Sequence, residues 1–168
     1  RVSTLFDTGV VKDAYFSPCR RWRYTLWRRW DGSLPTIAFI GLNPSTADET
    51  QDDPTIRRCI DFAKRWGYGS YVMLNLFGWR DTKPIGLIGA ADPVGLENNV
   101  IIAQWASHCP LVVAAWGDVS CVRPLVAKQV EIVKANATKA LRCLDVTKNG
   151  SPRHPLYMPK TATPRIWW

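Results

Sequence analysis

Three polar side chains and one acidic cluster carry the chemistry this sequence offers. Asn43 stands in Gly41-Leu42-Asn43-Pro44-Ser45, directly after the apolar run Thr36-Ile37-Ala38-Phe39-Ile40. Asn75 closes a second apolar run, Tyr71-Val72-Met73-Leu74. His154, one of two histidines, lies in Ser151-Pro152-Arg153-His154-Pro155-Leu156. An amide is neither a strong acid nor a nucleophile, so its work is positioning. Asn43 precedes proline and can either turn the chain or hold a water. Asn75 can either end a strand or offer a paired donor and acceptor to the edge of a nucleobase. Lys148 and Arg153 sit near His154 and favour a neutral imidazole at pH 7. A neutral ring can cap a carbonyl or donate one hydrogen bond to a developing oxyanion. His108, at the end of an apolar segment, reads as a partner for a helix dipole.

The acidic cluster Asp48, Glu49, Asp52, Asp53 is open to more readings. It can be a solvated loop, cap a helix start, supply a general base or hold a metal. Ser45 and Thr46 could meet a phosphate, but no Gly-Lys-Ser/Thr follows, so a nucleotide P-loop is not expected. There is no Gly-x-Ser-x-Gly, and Cys59 has no histidine partner in the sequence, so nucleophilic hydrolysis is not expected either.

The elements that must hold these groups alternate. Residues 20–29 alternate basic with aromatic or apolar side chains, a period of two that predicts a strand with one basic face. Asp31-Gly32 is a hairpin turn signal, and the run 36–41 is the next strand. Asp53-Pro54 is a helix start; Ile56, Cys59, Ile60, Ala63 and Trp66 then keep helical spacing up to Gly67. Strands follow at 71–74, 111–116 and 141–144, with helices over roughly 94–107 and 120–135 between them. This order predicts an α/β domain with helices on both faces of a parallel sheet. Right-handed crossovers then bring Asn43, Asn75, Gly117 and the loop 146–158 to one sheet edge, where such sheets bind ligands.

The 168 residues suit one domain, expected over 20–168 behind an irregular lead-in over 1–19. No run approaches the ~20 apolar residues of a membrane span, so no membrane partner is expected. The formal charge of +8 is the kind of surplus that serves a polyanion, or simply keeps a protein soluble. Nine tryptophans are read mostly as core, with some free to stack on bases beside interleaved arginines. Five widely spaced cysteines, without a C-x-x-C pair, argue against a disulfide framework or structural zinc. Cys59, Cys121 and Cys143 are read as small core residues, and the compartment as reducing and cytoplasmic. A monomer is expected.

In order, the pieces resemble the uracil-DNA glycosylase superfamily. Gly41-Leu42-Asn43-Pro44 resembles its first motif, and Leu74-Asn75-Leu76-Phe77 with Arg80 and Pro84 its second. Val112 to Gly117 resembles its apolar strand ending in glycine, and His154-Pro155 its final motif. The chain resembles still more closely a family of bacterial and phage proteins, domain-of-unknown-function family sixteen forty-three, over roughly 20–160. Leu42-Asn43-Pro44-Ser45-Thr46-Ala47-Asp48, Asp53 to Cys59, Asn75-Leu76-Phe77 and Pro152 to Tyr157 carry that resemblance.

The glycosylase resemblance implies a three-layer α/β/α domain. Its central sheet would be four-stranded and mostly parallel, with an added N-terminal antiparallel strand. It implies hydrolysis of the N-glycosidic bond of a nucleobase in DNA. His154 would donate to the departing base and Asn43 would hold the water; Asp48 is a candidate catalytic carboxylate from the acidic cluster, not from the resemblance, since Ser45-Thr46-Ala47-Asp48 departs from the family's pattern. Gly41, Leu42, Pro44, Ser45 and Asn75 would surround the base, with Phe77 or Trp79 stacked on it. Leu156 or Tyr157 would wedge into the gap left by the flipped nucleotide. Arg20, Arg21, Arg23, Arg28, Arg29, Lys148 and Arg153 would hold phosphates. The chain lacks the acidic residue of the most active branch in its first motif and the paired cysteines of the iron–sulfur branches. A modified base, a free nucleotide or a base-transfer step is therefore expected in place of uracil in DNA, with no iron–sulfur cluster, metal or cofactor. Two other readings remain at this point: a non-catalytic module for nucleic acid or a modified nucleotide, and a nucleotide-modifying enzyme using the loop 48–53.

Overall fold

A computed structural model describes residues 9–168. Seven strands form one mixed sheet: β1 (Val11–Phe16), β2 (Arg23–Arg29), β3 (Thr36–Gly41), β4 (Ser70–Asn75), β5 (Leu111–Ala114), β6 (Arg142–Cys143) and β7 (Arg165–Ile166). Four helices accompany it: α1 (Pro54–Arg65), α2 (Gly86–Gly89), α3 (Asn98–His108) and α4 (Arg123–Ala135). The strand order is β1-β2-β4-β3-β5-β6-β7. β3 runs parallel to β4 and β5, and β6 parallel to β5. β1, β2 and β7 are antiparallel to their neighbours.

The α/β class is as the alternation predicts. The four-stranded, mostly parallel sheet is not: the sheet is seven-stranded and mixed, extended by β1 and β2 on one side and β7 on the other. The lead-in is also corrected. Residues 11–16 pair with β2 as β1, while residues 1–8 of that lead-in lie outside the described residues. Among the described residues no helix is long and apolar enough to cross a membrane.

Both faces of the parallel core are apolar because both are covered. On one face Ile37, Phe39, Tyr71 and Met73 pack against Ile56, Cys59, Phe62 and Ala63 of α1. On the other, Ala38, Ile40, Val72 and Leu74 meet Ile102 and Ala106 of α3 and Val130 and Val133 of α4. α1 begins where Asp53 caps the Ile56 amide at 2.8 Å, with Pro54 placed where its missing N–H costs nothing. Cys59 and Cys143 are core residues as read, whereas Cys121 is exposed.

The expected basic face of β2 does not exist. β1 covers the outer edge of this strand, and Arg23 and Arg28 are 2% and 0% exposed.

One buried amide ties α3 to the end of β4. Asn98, wholly inaccessible, donates from Nδ2 to the carbonyls of Asn75 and Leu76, both at 3.0 Å. Asn98→Ala removes both bonds and orphans two buried carbonyls. A loss of about 2 kcal/mol is expected by urea unfolding, and an unchanged midpoint would refute the clamp.

Candidate functional site

The carboxyl ends of β3, β4 and β5 open into a cavity of about 200 Å³, lined among others by Gly41, Leu42, Asn43, Ser45, Asn75 and His154. These come from three of the chain segments singled out by sequence, and the fold brings them to one sheet edge. At about 30 Å³ of liquid volume per water, the space suits a single heterocycle better than a drug-sized ligand, whose sites run to ~300–1,000 Å³.

Asn75 is fixed and yet unsatisfied. It is 1% exposed, its main chain is held in the parallel register opposite Gly41, and its Nδ2 has no partner. A Cβ at residue 41 would stand 2.8 Å from Asn75 Oδ1 and 2.7 Å from Met73 Cε, so glycine is what leaves room for the amide. A buried donor left unpaired is costly, and here it belongs to a residue of the cavity wall.

His154 reaches the same space from the far end of the chain. Pro152 O accepts from Gly117 N at 2.9 Å, which docks the 152–154 segment on the turn after β5. Gly117 takes φ +73, open to glycine without strain. The His154 Nδ1 accepts from the Leu156 amide at 3.2 Å. In the neutral ring the proton is therefore on Nε2, which is left to donate. Burial pushes the His154 pKa down, partly opposed by the Asp53 carboxylate, so the neutral form prevails at neutral pH.

Asn43 lies on the cavity wall with its donors already engaged. Nδ2 donates to Asp81 O at 2.9 Å and to Pro44 O at 3.2 Å, and Asp81 N returns a bond to Pro44 O. The residue is thus both a turn residue and a tie to the loop after β4, with Oδ1 left as an acceptor.

Several expected site residues are elsewhere. Asp48 does not line the cavity: its Oδ1 accepts from Thr50 N and Gln51 N, which closes a turn and holds its pKa below the usual value. Asp53, the α1 cap, is the carboxylate of that cluster on the cavity wall. Glu49 pairs with Arg20, and Asp52 with Arg28 and Lys12. Among the described residues no group of three or more His, Cys, Asp or Glu is arranged to hold a metal. Phe77 is buried in the α3 and α4 core, and Trp79 packs edge-on against Trp22, so neither stacks in the cavity. The aromatic wall is Trp116, which sequence reasoning passed over although it ends the apolar run 111–116.

The phosphate set is also redistributed. Arg23 and Arg28 are buried and cannot meet a backbone outside, and the Arg20 fork is held by Glu49 at 2.6 and 2.9 Å. Arg21, Arg29, Lys148 and Arg153 are exposed. Leu156 and Tyr157, directly after His154, are 40% and 81% exposed.

Fold and site together define an α/β protein with a cavity at the carboxyl edge of its parallel strands, walled by amides, an imidazole and an arginine among other residues. The chain belongs to the family described as Protein of unknown function (DUF1643), whose model matches residues 23–156. No curated protein and no solved structure matches it.

Proposed function

We propose that the protein cleaves the N-glycosidic bond of a modified nucleobase in DNA, in the manner of the glycosylase superfamily its motifs resemble. The observation that carries this reading is the pairing, in one base-sized cavity, of a buried unsatisfied Asn75 amide with a neutral His154 whose Nε2–H is free.

In this reading the base enters the cavity flipped out of its strand. Asn75 pairs with its edge, and the Trp116 ring bounds the pocket. As the carbon–nitrogen bond breaks, its electron pair leaves with the base and negative charge spreads from the ring nitrogen onto a carbonyl oxygen of the base. The Nε2–H of His154 meets that oxygen without the ring becoming charged. Water adds to the sugar carbon. Asn43 Oδ1 orients it, and Asp53 in place of Asp48 takes its proton. Leu156 and Tyr157 fill the vacated stack. Arg21, Arg29, Lys148 and Arg153 are the exposed cations left to meet phosphates, and binding through them weakens with salt.

The test is base release from oligonucleotides carrying a panel of modified pyrimidines and purines, read by chromatography of the freed base. Release by the wild type that is abolished in Asn75→Ala is the expected outcome. Tight binding across the panel without any release would overturn hydrolysis and leave a binding module.

A further inference from the structure

Two arginines of β2 are buried, and their surroundings differ. Arg28 meets the Asp52 carboxylate and four main-chain carbonyls. Arg23 is 2% exposed, and its side chain makes one hydrogen bond among the described residues, from Nη1 to Ala47 O at 2.8 Å. Its Nε has no partner, and it takes part in none of the ion pairs of the described residues. Burying a cation without a counter-charge in contact is strongly unfavourable. Burial lowers its pKa to about 10, which still leaves it charged at neutral pH.

Arg23 lines the same cavity as Asn75 and His154. A neutral uracil-like edge would satisfy Asn75 and leave this charge without an ion pair in contact, with only the Asp53 carboxylate acting on it from across the cavity wall. A guanidinium fork matches the two oxygens of a carboxylate in plane. Phosphate fits less well: it brings nearly two negative charges, and Arg23 is the single Arg or Lys on the cavity wall among the described residues. Asp53 shares that wall, with Oδ1 engaged on the Ile56 amide, and repels an anion, so the carboxylate belongs on Arg23 and away from Asp53.

The geometry points to a carboxylated planar heterocycle as the ligand of this cavity, its carboxylate on Arg23 and its ring edge on Asn75. Resting on the reading of the cavity as a base pocket, this makes Arg23 the residue that separates an acid-bearing base from uracil. The guanidinium that sequence alone assigns to DNA phosphates acts inside the pocket instead.

Calorimetric titration of the full chain with free 5-carboxyuracil, its 6-carboxy isomer orotate, uracil and inorganic phosphate tests it. One carboxylated ring is expected to bind at least about tenfold tighter than uracil. Arg23→Met is expected to erase that preference while keeping uracil affinity, with an equal or higher melting temperature, since an unpaired buried charge is removed. Arg23→Lys, which keeps charge but loses the fork, is expected to retain part of it. Equal binding of uracil and both carboxylated rings by the wild type overturns the proposal whether or not the variants fold. So does a preference that survives in Arg23→Met, or phosphate binding as tightly as the carboxylated ring. Carboxylate preference without base release from any oligonucleotide would keep this site and remove the hydrolase. Release of uracil itself without such preference would do the reverse.

Discussion

Replacing His154 by alanine is expected to slow base release by about 10²–10³-fold, the usual effect of removing one preorganised donor to a developing oxyanion. Affinity for the free base should change little. The charge that Nε2–H meets exists only as the bond breaks, and an interaction made only in the transition state raises turnover rather than binding. Single-turnover release together with calorimetric affinity separates the two. A parallel loss of both would assign His154 to ground-state binding.

The same residue sets the expected pH profile. Burial holds the imidazole pKa below the usual histidine value, so the donor stays neutral through the neutral range. Release should be flat there and fall only as pH drops through the lowered value. The unfolded chain takes up the proton at a higher pH than the folded one. Stability therefore declines as pH falls from the unfolded value towards the folded one, and levels off below it. An acid limb that persists in His154→Ala would place the titration on another group.

The second large effect is on stability. Arg28→Ala is expected to cost about 3 kcal/mol, the lower end of the loss on breaking a buried ion pair. Arg28 is inaccessible, and its guanidinium joins β2 to the 48–53 loop through Asp52 at 2.9 Å, Asp48 O at 2.6 Å and Gln51 O. Truncation strands those acceptors along with Asp13 O and Trp27 O. The lower end is chosen because Asp52 is 18% exposed and keeps Lys12 at 3.6 Å. At roughly 2–4 °C per kcal/mol for a chain of this size, the melting temperature should fall by about 6–12 °C. Arg20→Ala, by contrast, removes an exposed pair with Glu49 and should leave the melting temperature almost unmoved. Equal effects of the two would contradict the structural role given to Arg28.

What local chemistry decides was legible in the residues. The Asp53-Pro54 start and the apolar spacing from Ile56 to Ala63 define α1, because capping and face burial act within a few residues. The apolar runs at 36–41, 71–74 and 111–116 announce strands buried on both faces. Gly41, Asn43, Asn75 and His154 were each readable as polar or flexible punctuation at the end of such a run or loop. Their meeting follows from the handedness of the crossovers.

What the residues left open is what depends on partners far away in sequence. β1 and β7 have no apolar run of their own; they become strands only through pairing with β2 and β6. Arg21, Arg23, Arg28 and Arg29 are alike in sequence, but residues 47–52 take up the guanidinium groups of Arg23 and Arg28, while Arg21 and Arg29 stay outside. Asp48 and Asp53 are equally acidic. The turn that closes on Asp48 faces it away from the cavity, and the start of α1 places Asp53 on the wall. Phe77, Trp79 and Trp116 each follow a strand, and only the packing of the loops beyond them decides which ring borders the pocket. The sequence alone determined α1, the apolar core strands and the edge where the polar groups gather, since propensity, capping and periodicity are short-range. The tertiary structure decided which of those groups are buried, paired or left unsatisfied, since burial and pairing are set by neighbours that only the folded chain supplies.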